Sequence, residues 1–135
     1  MRAAILLALG LFIGVVATVM TLGALRQGTP FHQGLMSVMA HHLGSLRAMG
    51  EPDTAAEDCS AARVGAHLAM LRLAGDDLEA AFLPTMNDER FRQYASNYRA
   101  ALDDAIARPA ASCDAAVAQA SLVGDTCSAC HRDFR

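Results

Sequence analysis

From Ala3 to Leu25 the chain reads AAILLALGLFIGVVATVMTLGAL, 23 residues without one charged side chain. Wound as a helix rising about 1.5 Å per residue, such a run is about 34 Å long, slightly more than a bilayer's hydrocarbon core. A removed secretory signal usually has a shorter apolar region, about 7–15 residues, followed by a small-x-small site. Here the nearest such site, Thr21-Leu22-Gly23, is a poor one. Residues 1–26 are therefore read as a retained N-terminal membrane anchor, with residues 3–25 in the bilayer and an exported domain over 27–135. A cleaved signal is the alternative. Either way the segment takes the remainder of the chain out of the cytoplasm.

All 14 acidic residues lie beyond that segment, together with ten of the 11 basic ones, every one of them Arg. The exported portion is thus mildly acidic, which argues against a nucleic-acid binder, whose footprint is a basic face.

Beyond the anchor, hydrophobic periodicity sets the fold class. Thr29-Pro30 suits a helix start, with a hydroxyl at the N-cap and Pro in the first turn. His32, Met36, Met39, Leu43 and Leu46 then recur every three or four positions, with Phe31, Leu35 and Val38 widening the stripe. Thr54-Ala55-Ala56-Glu57 reads as a capping box before Val64, Leu68, Leu71, Gly75, Leu78 and Phe82. Asn87 would cap a third stripe of Phe91, Ala95, Tyr98, Leu102 and Ala105, and a fourth carries Ala116, Ala120, Val123, Cys127 and Phe134. Breaks fall at Gly50-Glu51-Pro52, Pro84 and Pro109. Amphipathic helices joined by short turns favour antiparallel neighbours. The expectation is an all-α chain: an antiparallel up-down-up-down four-helix bundle preceded by one transmembrane helix.

The segment with the most chemistry is Cys127-Ser128-Ala129-Cys130-His131. On a helix, positions i, i+3 and i+4 share one surface, so two thiols and an imidazole can meet one planar ligand. C-x-x-C-H is the attachment pattern of a c-type haem. Zinc would require four ligands, and a third and fourth are hard to name here. A thioredoxin-like redox pair would need a βαβ context, which the helical periodicity does not supply.

With these residues in view, the sequence resembles the cytochrome c′ family, four-helix bundles with a single covalent haem attached near the C-terminus. The likeness runs from about Pro30 to Arg135, is strongest in VGDTCSACHRDFR and returns in FHQGLMSVMAHHLG on the first bundle helix. It implies that 27–135 is a haem domain holding one haem c, thioether-linked through Cys127 and Cys130, with His131 as proximal iron ligand and Arg135 beside it. It implies export to the periplasmic side of the inner membrane, with the N-terminus inside. The apolar anchor departs from typical members, which are soluble. Many relatives dimerise through their first two helices, and the sequence leaves that open here.

The position facing the other side of the iron corresponds, by the same resemblance, to Met36. As a distal ligand its thioether would favour reduced iron; as packing it would be a flexible core filler. His32 matches a place where relatives carry a basic group near the haem edge, so a propionate contact is its first reading and bis-histidine ligation the second. His41 and His42 face different ways, with at least one solvated, and His67 reads as a surface or propionate-side group.

Two cysteines remain. Cys59 begins the second helix and Cys113 the fourth, and in an up-down-up-down bundle those starts share one end. A Cys59–Cys113 disulfide is expected, the difficulty being that these helices would sit diagonally, whereas bridged Cα atoms lie within about 7 Å.

Three roles are compatible with these features. The leading one is a membrane-tethered one-electron carrier, not an enzyme, serving a membrane redox complex or a soluble electron carrier. The second is a five-coordinate haem module binding nitric oxide or carbon monoxide, should Met36 not ligate. The third is an accessory haem subunit of a membrane complex, for which Gly10-x-x-x-Gly14 offers a close-contact surface.

Overall fold

The computed structural model describes residues 2–26, 30–53, 59–83, 85 and 87–134. Every regular element among them is a helix. The chain divides into two compact units, Met1–Pro30 and Phe31–Arg135.

The first unit is one helix, α1 (Arg2–Arg26). Its side chains from Leu6 to Gly23 are all exposed, large apolar ones included. In water such exposure would be unfavourable, at about 25 cal/mol for each Å² of apolar surface; in a bilayer it is the favoured state. The segment Leu6–Gly23 is long and apolar enough to cross a membrane. Its two described hydroxyls are satisfied internally. Thr18 Oγ1 donates to the carbonyl of Gly14 at 2.8 Å and Thr21 Oγ1 to that of Ala17 at 2.6 Å, so neither presents an unpaired donor to an apolar medium.

The second unit contains α2 (Phe31–Ala48), α3 (Ala61–Asp76), the single turn α4 (Leu78–Ala81), α5 (Glu89–Ala107) and α6 (Cys113–Asp133). Side-chain oxygens set three of the starts by accepting from otherwise orphaned backbone N–H groups. Ser60 accepts from Arg63 N, Asp88 from Arg90 N and Phe91 N, and Ser112 from Ala115 N. Two boundaries differ from the sequence reading. Asp88 rather than Asn87 caps α5, because its carboxylate reaches two N–H groups. The Thr54–Glu57 box lies outside the described residues, as do Thr29 and Pro84; α3 begins at Ala61, so Cys59 precedes it.

The stripes expected to face inward largely do. Phe91, Ala95, Tyr98, Leu102 and Ala105 are all buried on α5, and Ala116, Ala120 and Val123 are wholly buried on α6. On α2 the inward face is centred on Leu35, Met39, Leu43 and Leu46. Phe31 and Val38 stand in solvent, while His32 and Met36 are half-buried, so the stripe is narrower than its apolar residues suggest. Leu46, Leu68, Leu71 and Leu102 are among the largest fully buried side chains, each worth about 1.5–3 kcal/mol of transfer from water. Close neighbours are α2 with α3, α3 with α5, α5 with α6 and α6 with α2, with α4 against the first three of these helices.

The second stripe does not continue as one helix. It breaks at Asp77, whose N–H turns back to Ala74 O at 3.2 Å, and resumes as α4. Here α5 comes close. A Cβ on Gly75 would lie 2.9 Å from Cε1 of Tyr98, so only glycine admits the ring. Tyr98 Oη donates to Leu71 O at 3.1 Å. The next residue, Arg99, donates to Gly75 O and grips both carboxylate oxygens of Glu79 at 2.9 Å. That bidentate pair joins α5 to α4.

Cys59 and Cys113 are at bonding distance, with Cα atoms 5.0 Å apart. Because Cys59 stands in the connection just ahead of α3, and Cys113 is the first residue of α6, the bridge needs no direct contact between the bodies of those two helices.

Candidate functional site

Helix α6 runs unbroken through Cys127, Cys130 and His131, and its last turn is closed by Phe134 N donating to Cys130 O at 3.0 Å. Cys127 is half-buried against the core, Cys130 is half-buried, and His131 is exposed. Both thiols are free. Burial pushes the Cys127 thiol up, an effect partly opposed by the Arg47 guanidinium. Burial likewise pushes up the Cys130 thiol, assisted by Cys127 and Asp133. Both shifts favour the protonated thiol over the thiolate. Among the described residues, no three His, Cys, Asp or Glu side chains are grouped to hold a metal ion.

Arg47 reaches α6 from the end of α2. Its guanidinium occupies the space that a Cβ would fill at Gly124, one turn before Cys127. The Val-Gly step ahead of the motif thus has a local reason: Val123 is wholly buried and Gly124 leaves a notch.

Past the motif, Phe134 anchors the end of α6. Its ring meets Phe91 edge-on at 5.5 Å and Tyr94 at 6.2 Å, with the Arg90 guanidinium 5.9 Å from its centroid. Phe91 touches Phe82 at 5.7 Å, and Phe82 touches His32 at 5.6 Å. His32 from the start of α2 is thereby linked through rings to the turn that carries His131. Asp133 accepts from Tyr94 Oη at 2.9 Å and from Arg90 Nη1 at 3.4 Å. Met36, one turn after His32, is half-buried and packed against the core. Arg135 lies outside the described residues.

Several of these residues carry no periodic signal in the sequence. Tyr94, Asp133, Arg90 and Arg47 stand off the apolar stripes, and their roles arise only where two helices meet. The same holds for His42 and His67, whose Nδ1 atoms are 2.9 Å apart. His41 is exposed while its neighbour turns inward, as expected of adjacent helical positions.

The residues present fit a covalently attached haem. Two unpaired thiols one helical turn apart, with a free imidazole at the next position, are the donors such a group uses. The sulfurs that could have competed, Cys59 and Cys113, are engaged with each other. No protein-family model, no curated protein and no solved structure matches this chain.

Proposed function

We propose that this chain is a membrane-tethered c-type cytochrome of the cytochrome c′ kind, carrying one haem c for one-electron transfer. The observation that carries the reading is the sorting of the cysteines: one pair bridged, the C-x-x-C-H pair free beside an exposed imidazole. When bound, haem supplies a one-electron ferric–ferrous couple. Cys127 and Cys130 would hold it through their sulfurs and His131 would be the proximal iron ligand. His32, within the ring chain, is suited to a propionate, and Arg135 to the surroundings of His131. The apolar helix would hold the domain at the periplasmic face of the inner membrane, raising its effective concentration near a membrane redox complex or a soluble carrier.

The reading takes the four long helices of the second unit as an up-down-up-down bundle. Gln119 of α6 against Ala105 of α5, and Asp133 against Tyr94, give an antiparallel sense for that pair.

A second reading rests on Met36. Its packing against the core suits a side chain that blocks the distal face, which would leave five-coordinate iron open to nitric oxide or carbon monoxide. The deciding experiment expresses the full chain with haem-maturation machinery, strips loose pigment with acidified acetone and records the spectrum. Colour that survives denaturation supports attachment, and a colourless chain rejects it. A low-spin spectrum lost in Met36→Ala assigns the carrier role; a high-spin spectrum unchanged by that substitution assigns gas binding.

A further inference from the structure

Between α2 and α3, two imidazoles meet. His42 on α2 and His67 on α3 place their Nδ1 atoms 2.9 Å apart, with ring centroids at 5.2 Å and planes tilted by 61°. Both side chains are half-buried. A contact of this length between two ring nitrogens requires one proton for the two of them: one nitrogen donates and the other must offer its lone pair. If both rings become imidazolium, two donors and two positive charges confront each other.

We propose that the His42–His67 couple is an acid-released clip between α2 and α3, closed while its nitrogens share one proton and opened when each holds its own. The surroundings sharpen the response. From α2 the couple is faced by His41, whose ring lies 5.2 Å from that of His42, and from α3 itself by Arg63. Both add positive charge as the pH falls or already hold it. Elsewhere on α3, α5 and α4, Asp76 and Asp103 pair with Arg72, and Glu79 pairs with Arg99. Arg47, also on α2, reaches toward Gly124 of α6. None of the charged groups that act on His67 is a carboxylate.

The sign is set by His67. Its pKa is lowered from 6.5, first by burial, then by His42, His41 and Arg63. The unfolded chain therefore takes up this proton more readily than the folded one. The clip's stabilisation is complete above about pH 6.5 and is lost as the pH falls from there through the depressed folded value.

The test uses the full-length chain in detergent, with thermal unfolding followed by circular dichroism between about pH 8 and pH 5. Wild type and His41→Asn are expected to lose several degrees of melting temperature below the ordinary histidine range. His42→Asn and His67→Asn, whose amides do not titrate there, should lose much less. An acid loss of wild-type size in both of those variants overturns the proposal, as does its disappearance in His41→Asn alone. Should the variants not fold, nitrogen-15 imidazole shifts of the wild type decide. Coupled titration of His42 and His67, with one midpoint below that of His41, supports the clip. Three independent titrations at the ordinary value overturn it. Neither readout depends on the haem assignment.

Discussion

The two cysteine pairs put the same atom to opposite uses. Cys59 and Cys113, 54 residues apart in sequence, are brought together by tertiary structure and bonded. Cys127 and Cys130, three residues apart, share one continuous helix and remain thiols. The first pair acts on the whole unit by restricting its unfolded state. The second acts locally, and its arrangement owes almost everything to α6. Stability and chemistry can therefore be separated by mutation.

The largest effect should come from the local pair. In Cys127→Ala/Cys130→Ala, covalently retained haem should vanish from denatured protein while far-UV circular dichroism stays helical. If the colour remains, the assignment of this pair fails. The reverse substitution, Cys59→Ser/Cys113→Ser, should keep the colour but lower the unfolding free energy by about 4 kcal/mol, as the chain-entropy relation gives for so long a loop. Urea denaturation measures the loss. Thiol alkylation of unreduced apoprotein should count two sulfurs, and four after reduction.

Smaller effects test the helix contacts between these two poles. Gly75→Ala would press a methyl against the buried Tyr98 ring and should cost about 1–3 kcal/mol, the range for overpacking. Gly124→Ala meets only the tip of the exposed Arg47 side chain, which can swing aside, so its melting temperature should move much less. Equal losses at both sites would contradict this difference in rigidity.

The smallest effect concerns Glu79, whose carboxyl is held below its ordinary value chiefly by the hydrogen-bonded Arg99 guanidinium. A depressed folded pKa means stabilisation that is complete above the unfolded value of 4.5 and fades as the pH falls through the folded one. Glu79→Gln should cost at most about 1 kcal/mol near neutrality. That difference from wild type should close in acid, as paired urea titrations would reveal.

How much of the molecule is legible in its sequence depends on how local each feature is. The α5 stripe of Phe91, Ala95, Tyr98, Leu102 and Ala105 is buried throughout, because a 3/4 repeat needs only one helix to express it. The Cys59–Cys113 pairing is accessible from the alternation of helix starts, and the awkward diagonal span is relieved by a residue standing just ahead of α3. The break at Asp77 is not legible: Gly75 and Leu78 continue the spacing, and the Tyr98 ring and the Arg99–Glu79 pair that accompany the break come from another helix. The His42–His67 couple is hidden for the same reason, each histidine merely flanking its stripe beside Leu43 or Leu68. At the C-x-x-C-H motif, residue types and order are readable, whereas the Arg47 notch at Gly124 and the Tyr94–Asp133 bond require the packed structure.

The length of α6 has a consequence for how the chain matures. Fourteen residues separate Cys113 from Cys127 on one helix, which at about 1.5 Å per residue sets them about 21 Å apart. Four cysteines allow three ways of forming two bridges, yet a rod of that reach keeps its distal sulfurs away from the proximal one. Once α6 has formed, Cys113 cannot bond Cys127 or Cys130, so the helix itself proofreads against the two cross-link patterns that need such a bond.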